Sequence, residues 1–116
     1  MSTQTNAAAS GVPHPQVRLD DTGLRLVADP LRARILELLA VEALCTCHLV
    51  ELTGARQTNI SNHLRVLREA GLVTTEPYGR FTYYLLVAGA LERLAAPLQA
   101  LARAAGTADG RRRPCP

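Results

Sequence analysis

Lysine is absent from this chain of 116 residues: all thirteen basic residues are arginine, set against ten acidic ones and three histidines. A wholly arginine basic set reflects genome composition as readily as function, and the net charge of +3 is compatible with nucleic acid without demanding it. No run of about 18 apolar residues occurs, which excludes a membrane-spanning helix. The start, MSTQTNAAAS, has no basic stretch leading into an apolar core, so secretion is not expected and the chain reads as cytoplasmic. Cysteine is scarce and odd in number, three in all, which argues against a disulfide framework and for a metal site or reactive thiols. Also missing are a Cys-x-x-Cys redox pair, a glycine-rich phosphate cradle, paired catalytic carboxylates and a Ser-His-Asp arrangement, so an enzyme is not expected.

What remains is ordinary globular material, 47% hydrophobic and 20% charged, of a length that suits one domain with a modest core. Residues 1–16 read as a flexible arm, residues 17–106 as the ordered domain, and residues 107–116 (TADGRRRPCP) as a disordered basic tail. No internal repeat is present. Asp29-Pro30 marks a helix start, because Asp caps well and Pro at the first helical position loses no hydrogen bond. The helix that follows carries Leu31, Ile35, Leu38 and Leu39 on one stripe. A short helix before it begins near Asp20 or Asp21, weakened by Gly23. The segment from Cys45 to Thr53 is expected to be a short helix ended by Gly54. A longer one spans Gln57 to Ala70, with Ile60, Leu64 and Leu67 on one face and Gly71 at its end.

The period then changes. Leu72–Glu76 and Arg80–Leu85, flanking Pro77-Tyr78-Gly79, predict a β-hairpin. The last helix, Ala88 to Ala105, spaces Leu91, Leu94, Leu98 and Leu101 near a heptad and should kink or open locally at Pro97. The order α-α-α-α-β-β-α describes a mainly α winged helix-turn-helix, dimeric through its terminal helices. The helix from Gln57 carries Gln57, Thr58, Asn59, Ser61, Asn62 and Arg65 off its apolar stripe. Such short amides, hydroxyls and an arginine can pair with base edges from the N-terminal turns of a helix in the major groove. The same residues also suit a plain solvent face. Arg80, beside Gly79, stands where a wing reaches phosphate or the minor groove. His63, next to the apolar stripe, is read as a hydrogen-bonded, half-buried residue rather than a ligand.

From Ala28 to Tyr84, about half of the chain, the sequence resembles the ArsR–SmtB family of metal-responsive repressors. The resemblance is carried by Val27-Ala-Asp-Pro-Leu-Arg32, Arg34-Ile-Leu-Glu-Leu-Leu39, Gln57-Thr-Asn-Ile-Ser-Asn-His-Leu64, Leu67-Arg-Glu-Ala-Gly-Leu-Val73, Gly79-Arg80 and Tyr83-Tyr84. It implies a winged-helix homodimer on palindromic operator DNA that lets go when an effector binds. Where the family usually has Ser to cap the recognition helix, this chain has Arg56; Thr58 could cap from inside, or Arg56 could contact phosphate.

Leu44-Cys-Thr-Cys-His-Leu49 looks like the Leu-Cys-Val-Cys-Asp-Leu motif of the arsenite-sensing branch, whose cysteines bind As(III) or Sb(III). Thiolates select soft ions of this kind. On a regular helix Cys45 and Cys47 would lie about 200° apart, so a two-thiolate pincer needs an extended or first-turn conformation. A third sulfur for pyramidal As(III) could come from Cys115, within the protomer or across a dimer, or be replaced by a small thiol or hydroxide. His48, in place of the motif's Asp, could make a mixed site for zinc or cadmium, and lead is another thiophilic candidate. A nickel-responsive or thiol-redox-responsive repressor of the same fold is a further alternative. The plain reading of Cys45 and Cys47 is two small hydrophobes packed under the recognition helix. The Asp/His pairs by which zinc- and nickel-sensing relatives bind metal on the final helix are missing, since Ala88 to Ala105 has neither residue.

Overall fold

The computed structural model describes residues 19, 21–108, 110 and 113–115. The expected arm over residues 1–16 lies outside them, as do Arg111 and Arg112 of the tail. The elements run α1 (Asp21–Ala28), α2 (Pro30–Leu39), β1 (Leu44–Cys45), α3 (Thr46–Thr53), α4 (Gln57–Glu69), β2 (Val73–Tyr78), β3 (Phe81–Leu86) and α5 (Ala88–Thr107). Five helices thus accompany a three-stranded antiparallel sheet ordered β1-β3-β2. The third strand, β1, was not expected, and it removes Cys45 from the helix the sequence predicted.

One compact unit spans Asp20–Ala96, and the residues from Pro97 onward belong to a second. Within the first unit, Ile35, Leu36 and Leu39 of α2 meet Leu49 of α3, Ile60, Leu64 and Leu67 of α4, and Leu44, Leu72, Val73 and Ala90. Leu91 and Leu94 lie partly buried against this same core. Leu98, by contrast, is exposed. Helix α5 runs through Pro97 as one continuous helix rather than opening there. The proline withholds the N–H that would have bonded the Arg93 carbonyl, and the boundary between the two units falls at that residue.

Turn chemistry holds the reading unit together. Gly54, at φ +74, ends α3, donating its N–H to the Val50 carbonyl at 2.8 Å. Thr53 braces the same corner: its hydroxyl donates to Leu49 O (2.7 Å) and accepts from the Ala55 N–H (3.1 Å). Helix α4 ends in a paired-bond glycine cap: Gly71 N–H bonds Arg68 O, Leu72 N–H bonds Leu67 O, and Gly71 takes φ +83. The chain is thereby turned straight into β2.

The hairpin is one step shifted from expectation. Tyr78 pairs with Phe81, which leaves Gly79-Arg80 as a two-residue loop with Gly79 at φ +62, the position where a type II′ turn needs glycine. Pro77 therefore lies within β2, opposite Thr82. It is tolerated because β2 is an edge strand, where a missing N–H costs no ladder bond.

Candidate functional site

Helix α4 is divided lengthwise. Ile60, Leu64 and Leu67 are at most 1% exposed, whereas Gln57, Thr58, Asn59, Ser61, Asn62 and Arg65 are all exposed. Arg65 pairs loosely with Glu69 at 3.9 Å. The helix begins at Gln57: Arg56 is the capping residue in extended conformation (φ −71°, ψ 149°), and its side chain makes no capping bond. Its guanidinium is left available at the helix start. Arg80 is exposed in the hairpin loop, the second of the two basic positions that sequence reasoning assigned to the reading surface.

A contact that the sequence did not reveal ties α4 to the start of α2. Asp29 caps α2, accepting the Arg32 N–H at 3.0 Å. The Arg32 Nε–H donates to His63 Nδ1 at 3.1 Å, which leaves the ring proton on Nε2, 3.6 Å from Asp29 Oδ2. His63 is thus hydrogen-bonded and half-buried rather than free to ligate. The Asp29 carboxyl is held below its ordinary value of 3.8, chiefly by the Arg32 backbone N–H. Partial removal from water opposes that shift, and the charge of the neighbouring Arg32 adds to it. Since Arg32 and His63 lie 31 residues apart, no local pattern announces them as partners.

The cysteines occupy three different situations. Cys45 is extended (φ −91°, ψ 171°), ends β1 and caps α3, so the two thiols of Cys45-Thr46-Cys47 are not both on one regular helix. It pairs with Tyr83 of β3, and Leu44 with Tyr84. Cross-strand partners project from the same side of a sheet. Leu44, Val73, Tyr84 and Leu86 thus form the inner face, on the core, while Cys45, Tyr83, Glu76, Tyr78 and Phe81 share the outer one. Cys45 is only 6% exposed, yet it is not part of the core cluster. Its cover includes His48: Cys45 Sγ lies 3.4 Å from His48 Nδ1, which also accepts the Cys45 N–H at 3.5 Å. The His48 ring stands edge-on to Tyr83 at 5.9 Å, and Tyr83 edge-on to Tyr78 at 5.7 Å. Cys47 is exposed one residue into α3, and Cys115 is exposed in the separate C-terminal unit. Among the described residues, no three His, Cys, Asp or Glu side chains are gathered closely enough to hold a metal ion. Soft donors are present, Cys45 beside His48 with Cys47 exposed nearby in sequence, but a full ligand set is not.

Two short helices meeting at a glycine corner, the second with a polar outer face, followed by a two-stranded wing, define a winged helix-turn-helix DNA-binding domain. Residues 29–75 match the model of the arsR family of bacterial regulatory proteins. The chain is 41% identical over 63 residues to the arsenic resistance transcriptional regulator ArsR1 of Pseudomonas putida, covering 53% of this chain and 49% of that relative. It therefore spans about half the length of that curated relative. A crystal structure described as a possible transcriptional regulator for arsenical resistance matches with a TM-score of 0.63 and 37% identity, over 74% of this chain and 95% of the other. A solution structure of a homodimeric winged helix-turn-helix domain from Mycobacterium bovis shares the fold (TM-score 0.59, 24% identity, 97% of each chain). The chain belongs to the arsR family of bacterial regulatory proteins. That family is one of DNA-binding transcriptional regulators. Among the described residues no helix is long and apolar enough to cross a membrane.

Proposed function

We propose that this protein is a homodimeric repressor that acts in the cytoplasm and releases its operator when a thiophilic ion, As(III) or Sb(III), binds at Cys45 and Cys47. Residues 17–106 would form the working domain. Gln57, Thr58, Asn59, Ser61, Asn62 and Arg65 would read the major groove, and Arg80 would contact the flanking backbone or minor groove. Exposed Leu98 would contribute to the dimer seam. The homodimer described for the Mycobacterium bovis neighbour supports that reading, as the name of the Pseudomonas putida relative supports the arsenic effector.

The observation that carries the proposal is the double attachment of Cys45. Its backbone is paired to Tyr83 of the wing, and it caps α3, whose Leu49 packs with Ile60 and Leu64 of α4. Drawing the Cys45 and Cys47 sulfurs onto one ion reorients the first turn of α3 and strains both connections, so wing and reading helix shift together. The Cys45 sulfur must first leave its place against His48, a small rearrangement on the outer face rather than an opening of the core. Cys115 would supply the third sulfur in cis or in trans, with a small thiol as substitute.

A second reading rests on the Cys45–His48 contact at 3.4 Å. A thiolate and an imidazole nitrogen so close suit zinc or cadmium, with lead held by the thiols. The experiment is a titration of reduced protein with arsenite, antimonite, cadmium, lead, zinc and nickel, followed by thiolate charge-transfer absorption. Arsenite ligation that disappears in Cys45→Ser and in Cys47→Ser, and survives His48→Ala, is the expected result. Zinc binding that requires His48 would favour the second reading. Full ligation by Cys115→Ser would remove the tail from the ligand set.

A further inference from the structure

The tip of the hairpin is the one place in the sheet where large apolar side chains face water: Tyr78 is 73% exposed and Phe81 53%. They are a cross-strand pair, immediately flanking the Gly79-Arg80 loop, and both project from the outer face. We propose that Tyr78 and Phe81 are DNA-contacting residues that pack on the sugar walls of the minor groove while Arg80 enters it. This rests on the operator-binding reading above.

Three features commit the surface to that occupant. Arg80 carries the only charge on the four-residue tip from Tyr78 to Phe81, and it is positive and exposed. A hairpin closed by two residues narrows to its loop, so side chains at the tip can reach into a minor groove of roughly 6 Å while the strands themselves stay outside it. The tip is also continuous with the reading helix, because the glycine cap of α4 leads directly into β2. Depth is limited from the same face. Glu76 lies two residues behind Tyr78, about 7 Å along the strand, and its carboxylate repels a phosphate backbone brought that far. The contact is thus confined to the tip. The Tyr78 ring rests edge-on to Tyr83 at 5.7 Å, which leaves most of it open to a partner. Narrow A·T-rich minor grooves, whose negative potential attracts arginine, are the preferred target.

The test uses the full chain and a duplex that the wild-type protein selects from a random-sequence pool. Phe81→Ala and Tyr78→Ala should each weaken binding about fivefold to tenfold, with the slope of log K against log salt unchanged, because no phosphate charge is lost. Arg80→Ala should weaken binding and lower that slope by about one. Hydroxyl-radical protection of the sugars flanking the major-groove half-sites should vanish in the double aromatic variant while the half-sites stay protected. Thermal midpoints equal to wild type within a few degrees show that the variants are folded. A double variant that binds and protects as wild type does overturns the proposal and leaves operator binding intact. A wild-type protein that selects no duplex overturns both.

Discussion

The two faces of the three-stranded sheet are built from alternate residues of the same strands and do different work. Leu44, Val73, Tyr84 and Leu86 turn inward and join the core under α2 and α4. Their immediate sequence neighbours Cys45, Tyr83 and, at the far end, Tyr78 and Phe81 turn outward and make a thiol-imidazole-tyrosine row that ends in exposed rings. Core packing is thereby concentrated on one side and the sulfur-bearing row on the other, and a slip of one residue in register would exchange them. A sulfur on the inner face would be locked among leucines. On the outer face it lies outside the core cluster, 3.4 Å from the imidazole of His48, three residues away.

The contrast is broken most directly by paired substitutions. Leu44→Ala should cost about 2–5 kcal/mol in urea unfolding, since it opens a cavity in a small core. Phe81→Ala should stay within about 0.5 kcal/mol, as surface changes do. Equal losses would mean that the two faces are not distinct. Next in size, Cys45→Ser should leave operator affinity near wild type but abolish the effector's effect on it, a coupling of about 1–3 kcal/mol. Leu44→Val, one residue away, should keep the response. Tyr83→Ala should cost about 0.5–1.5 kcal/mol through its lost edge contacts with His48 and Tyr78, and less than Tyr84→Ala, its inward neighbour, in the same melt. The smallest effect lies off the sheet. Because the folded-state value of Asp29 is depressed, its ionised cap stabilises the fold fully above the unfolded value near 3.8. That contribution is lost as pH falls through the lower folded value. The difference in urea midpoint between wild type and Asp29→Asn should therefore be constant from pH 7 to about 5 and shrink in acid.

Much of this was legible in the residues. The stripes of α2 and α4 follow the helical period, Asp29-Pro30 begins a helix, and Gly54 and Gly71 end two others at positive φ. The winged arrangement follows from that order. What escaped had no local signature. Strand β1 is two residues long, too short for any alternation to show, and exists because Leu44 and Cys45 find Tyr84 and Tyr83 far along the chain. The outward direction of the Cys45 sulfur depends wholly on that pairing. The Asp29–Arg32–His63 link joins distant segments in the same way. Leu91 and Leu94 match a dimer seam and a core-facing stripe equally well in period, and both are partly buried against the protomer's own core. The hairpin turn was displaced because Pro77 usually marks a loop, whereas an edge strand tolerates it.

If an ion on the outer face loosens the grip on DNA, binding and release must move together. The most direct test is the operator affinity of reduced protein, measured with and without arsenite at a concentration where thiolate absorption shows the site to be filled. A fall in affinity of about fivefold to 150-fold is expected, absent in Cys45→Ser. An affinity that stays the same with the sulfurs fully ligated would contradict it.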